Sequence, residues 1–196
     1  MNNFEIRKSI YDDIRDNCNV ITDNGIQLEV GLTSQQNSML RMTLERYILK
    51  TLEAYYDRFF ESENFLIKYK DDILNLPNRT PNGAFYPKKE NIEEYNTVQK
   101  IVNTCMIDNK LTEQLDSFDV STVRIVDGTT SELDDRMSST TKLHSDAWSG
   151  HNGDAILTMG LLGDEDTGLE FNEVTKVNSE SFFETQQDYV SGMKMV

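Results

Sequence analysis

Apart from a short two-apart run at Ile26, Leu28 and Val30, the hydrophobic residues of this 196-residue chain change period near residue 118. Before that point they recur three and four apart, as on one face of a helix; after it they alternate, as on one face of a strand. A helical half followed by a β-rich half does not fit βαβ repeats, which interleave the two periods. The order predicts one α+β domain, with N-terminal helices (residues 1–118) packed on a β-rich core (residues 119–196).

Within the helical half, Ile6, Ile10 and Ile14 predict a short helix. Ile26, Leu28 and Val30 fall two apart after the turn signal Asp23-Asn24-Gly25, so a hairpin is expected next. Thr33 and Gln36 have capping-box spacing and lead into a stripe of Leu40, Leu44, Ile48, Leu52, Tyr55 and Phe59, which predicts a helix of about 25 residues. Arg41, Glu45, Arg46, Lys50, Glu53 and Asp57 lie on its other side and read as a solvated face. Leu66, Tyr69 and Ile73 predict a second helix ended by Pro77. The stretch 77–89, with all three prolines of the chain and Gly83, reads as a loop and an internal boundary. Asn91 and Glu94 then offer a cap for a helix reaching about Met106, with Ile92, Tyr95, Val98, Val102 and Cys105 as its stripe.

In the second half, Val120–Val126 reads as a strand, Asp127-Gly128 as a turn and 129–141 as a polar Ser/Thr loop. Segments 155–162, 169–174 and 182–190 supply further strand material. Nineteen Lys and Arg against 34 Asp and Glu give a net charge of -15, a field that repels phosphate backbones and anionic membranes. Neither nucleic acid nor a membrane is an expected partner, and no apolar run approaches the ~18 residues of a membrane span. Cys18 and Cys105 sit in no metal or redox spacing and are expected as reduced thiols in a cytoplasmic protein. Asn78-Arg79-Thr80 matches the glycosylation triplet but reads as a chance match in a loop.

Both histidines of the chain, His144 and His151, fall in the segment Lys142-Leu-His-Ser-Asp-Ala-Trp-Ser-Gly-His151. On a strand, His144 and Asp146 face the same side. An imidazole nitrogen and a carboxylate oxygen on one side of a metal make two thirds of the two-His, one-carboxylate facial arrangement, which leaves positions open for a co-substrate and O2. Trp148 is a candidate wall of a substrate pocket or a core aromatic, and His151 a candidate pocket residue. Arg124 and Lys142 are basic residues able to approach an acidic co-substrate, or to form surface ion pairs. The turn Asp164-Glu-Asp-Thr-Gly168 lacks the ligand number and length of a calcium loop and reads as a hairpin turn.

The His144-Ser-Asp146 motif, with Ala147, Trp148 and Gly150 behind it and the order of strands around it, resembles the Fe(II)/2-oxoglutarate-dependent dioxygenases, in particular the phytanoyl-CoA-hydroxylase-like branch. The resemblance covers about the last 75 residues. It implies a double-stranded β-helix (jelly roll), iron held by His144 and Asp146, and 2-oxoglutarate as co-substrate in the hydroxylation of an unidentified small-molecule or peptide substrate.

The family also supplies a second histidine from a later strand and a basic residue beyond it. No histidine follows His151 here. Two explanations stay open: His151 folds back to the metal, or the chain is a fragment whose jelly roll stops one strand short, after the Gly192-led segment at its end. The alternative from another class is a metal-free jelly-roll binding or structural protein in which His144 and Asp146 are ordinary strand residues. A cupin-like isomerase fits less well, because that pattern wants two histidines around one residue and a nearby Glu.

Overall fold

The structure is a computed structural model that describes residues 3–23, 28–80 and 83–125. These form two compact units. Among the described residues no helix is long and apolar enough to cross a membrane.

One unit gathers Met1–Gly31 and Asn109–Gln114. Helix α1 (Asn3–Asn17) is followed by strands β1 (Val20–Asp23) and β2 (Leu28–Val30), paired antiparallel with an irregularity between Val20 and Thr22. The expected helix and hairpin are therefore present, and Leu28 and Val30 are half-buried while Glu29 is exposed, as period two requires. Ile14 is the buried member of the α1 stripe. The outer side of α1 carries ion pairs from Lys8 and Arg15 to Asp12, a further Arg15 pair to Asp16, and a Tyr11 hydroxyl donating to Asp23. The 109–114 segment closes the unit: the Asn19 N–H donates to the Asn109 carbonyl at 3.2 Å and the Asn109 amide to the Gly31 carbonyl at 3.0 Å.

The second unit comprises Leu32–Asp108 and Leu115–Asp127. Helix α2 (Ser34–Tyr56) starts at the expected cap: Thr33 Oγ1 accepts from the Gln36 N–H at 3.1 Å while Gln36 Oε1 accepts from the Thr33 N–H at 2.8 Å. It buries Leu40, Tyr47, Ile48, Thr51 and Leu52. The end of the expected stripe is different. Asp57 adopts a left-handed conformation (φ 50°), which stops the helix and turns the chain, so that Phe60 enters the core while Phe59 is 81% exposed and Tyr55 half-exposed.

The single helix expected over 66–73 is two short ones, α3 (Phe65–Lys68) and α4 (Lys70–Leu74), broken at Tyr69. The break brings Phe65 inward and leaves Leu66 exposed. Helix α5 (Ile92–Asp108) packs against α2 in the antiparallel sense, with Gln36 Nε2 donating to Asp108 at one end and Lys50 paired with Glu94 at the other. Its buried face is Glu94, Val98, Ile101 and Met106, shifted round the helix from the expected stripe, with Ile92 exposed.

The largest correction concerns 77–89. This stretch is no boundary: it lies inside the second unit and contributes to its core. Residues 78–80 pair antiparallel with 84–86, and Gly83–Phe85 pair in turn with 123–125, through Phe85 N–H to the Val123 carbonyl at 2.8 Å and Ile125 N–H to the Gly83 carbonyl at 2.9 Å. Gly83 (φ 82°) supplies the left-handed conformation the return needs. Phe85, Val123 and Ile125 face the core of Tyr47, Leu52, Phe60, Phe65 and Ile73. Thus 120–125, expected as a strand, is an extended segment bridged at Arg124, with Val120 exposed. The jelly roll expected over 119–196 lies outside the described residues apart from this stretch.

Candidate functional site

Of the candidate residues, Arg124 alone is described; Lys142, His144, Asp146, Trp148 and His151 lie outside the described residues. Arg124 is exposed and stands opposite Ala84 on the face of the small sheet that points away from the aromatic core. Thr122 and Tyr86, two residues from the bridged pair, are exposed as Arg124 is. No ion pair holds Arg124 among the described residues.

The polar chemistry that the second unit does assemble sits between α2 and α5. Glu94, in the first turn of α5, is buried, and its Oε1 pairs with Lys50 Nζ at 2.7 Å and Arg46 at 3.4 Å. Burial pushes its carboxyl up, but the Lys50 hydrogen bond, its own backbone N–H and the charges of Lys50 and Arg46 outweigh this and leave it below the ordinary Glu value. Two residues expected on a solvated face therefore reach across to a buried carboxylate. Their long stems lie along the helix while the charged ends find Glu94. The sequence carried a partial signal, since Glu94 stands at capping distance from Asn91.

Behind this clasp lies a neutral network. The buried Asn91 amide donates to Thr51 Oγ1 and to the Tyr47 carbonyl, and Asn91 Oδ1 accepts from the Lys88 N–H at 2.7 Å. Tyr47 is fully buried, donates its hydroxyl to the Phe85 carbonyl at 3.0 Å and packs edge-on to Phe85; burial, with a smaller contribution from Tyr95, pushes the phenol well up. These contacts tie the 84–86 strand to α2. They are structural: apart from the local Lys88–Asn91 contact, each joins two segments of the same core.

Asn78, the acceptor residue of the glycosylation triplet, is buried, and its Nδ2 donates to the Tyr86 carbonyl at 2.6 Å. An amide so engaged is closed to modification in the folded protein. Cys18 and Cys105 form no disulfide; burial first and the Glu113 charge second push the Cys18 thiol up. Among the described residues no group of three or more His, Cys, Asp or Glu is arranged to hold a metal.

Comparison with protein-family models, with curated proteins and with solved structures finds no match to this chain.

Proposed function

We propose that this chain belongs to an Fe(II)/2-oxoglutarate-dependent oxygenase, with His144 and Asp146 as two of the iron ligands. The observation that carries the reading is the pair itself: an imidazole and a carboxylate two residues apart, between segments of strand period. Nitrogen and oxygen donors suit Fe(II), and two of them from one strand leave room for a co-substrate. Iron and 2-oxoglutarate supply the oxidising chemistry; the chain's work is to orient the ligands and keep water from the site. Trp148 and His151 line the pocket, and Lys142 or Arg124 meets an acidic group. The third protein ligand is either His151, folded back, or a histidine that these 196 residues do not include. The reading extends to a single α+β domain with a jelly-roll core, and to a cytoplasmic setting that keeps Cys18 and Cys105 reduced.

One observation favours a second reading. The chain has only two histidines, both between 144 and 151, whereas the facial arrangement draws its second histidine from a distant strand. A metal-free jelly-roll binding or structural protein has no need of that residue.

Anaerobic addition of Fe(II) and then 2-oxoglutarate separates the two readings. The oxygenase reading expects a weak visible charge-transfer band that is lost in His144→Ala and in Asp146→Ala. A folded protein that binds neither component supports the metal-free reading and removes the first.

A further inference from the structure

We draw no further inference here: the strongest candidate, the exposed apolar side chains Phe59 in the turn after α2 and Leu66 and Ile67 in α3, is a stretch of surface for which nothing in the structure shows what covers it.

Discussion

The second unit and the C-terminal third of this chain use their residues in opposite ways. In Leu32–Asp108 and Leu115–Asp127, aromatic residues dominate: Tyr47, Phe60, Phe65 and Phe85 fill the core, and even polar groups such as Asn91 and Thr51 are spent on tying segments together. From 126 to 196, four Lys and Arg stand against fourteen Asp and Glu, and both histidines of the chain occur. From 1 to 125 the balance is milder, fifteen against twenty. The described part of the second unit is built for stability; residues 126–196 carry most of the net charge and both histidines. Substitutions in the first should therefore cost stability, and the His144 and Asp146 substitutions should cost binding with little change in stability.

The largest expected effect is Phe85→Ala. It removes a ring that is 1% exposed and meets both Tyr47 and the core, and should lower unfolding free energy by about 3–5 kcal/mol in denaturant titrations. If His144 serves as a metal ligand, His144→Ala in the metal-free protein should change stability by less than about 0.5 kcal/mol in the same titration. A large loss there would break the comparison and make His144 a core residue.

Next in size is the clasp on Glu94. Its lowered carboxyl contributes stability above the unfolded value of about 4.5, and that contribution is lost as pH falls through the folded value. Glu94→Gln should cost about 1–2 kcal/mol at neutral pH, discounted from a fully buried pair because Arg46 is largely exposed. It should also flatten the acid side of the stability profile. An unchanged acid limb would mean that Glu94 is not a source of acid lability. Tyr47→Phe is expected to cost about 1 kcal/mol, the worth of one buried hydrogen bond to the Phe85 carbonyl.

The cap of α2 sharpens what the sequence can and cannot disclose. Thr33→Ala should cost about 1 kcal/mol by removing the α2 cap, and Thr33→Ser should restore most of it. This cap was legible because its partners are three residues apart. The far end of α2 was not, because the left-handed turn at Asp57 exchanges Phe59 for Phe60 and no periodic rule anticipates it. The pairing of the 77–89 segment is hidden from the sequence for a related reason. Its prolines announce a loop, but its pairing with 123–125 spans some 40 residues, and nothing local in the sequence encodes such a contact. Glu94 was visible as a cap residue, but its burial under Lys50 and Arg46 depends on how α5 meets α2. For the candidate metal ligands the sequence motif is the whole argument, and Arg124 is the one candidate residue to which the structure adds surroundings.

Paramagnetic broadening by Fe(II), added under anaerobic conditions and read residue by residue in the full chain, tests the central assignment most directly. The account predicts broadening centred on 144–146 at low iron, lost in both His144→Ala and Asp146→Ala and kept when Asp164 and Asp166 are changed to Asn. Broadening that follows the acidic stretch 164–166 instead, and persists without His144, would contradict it.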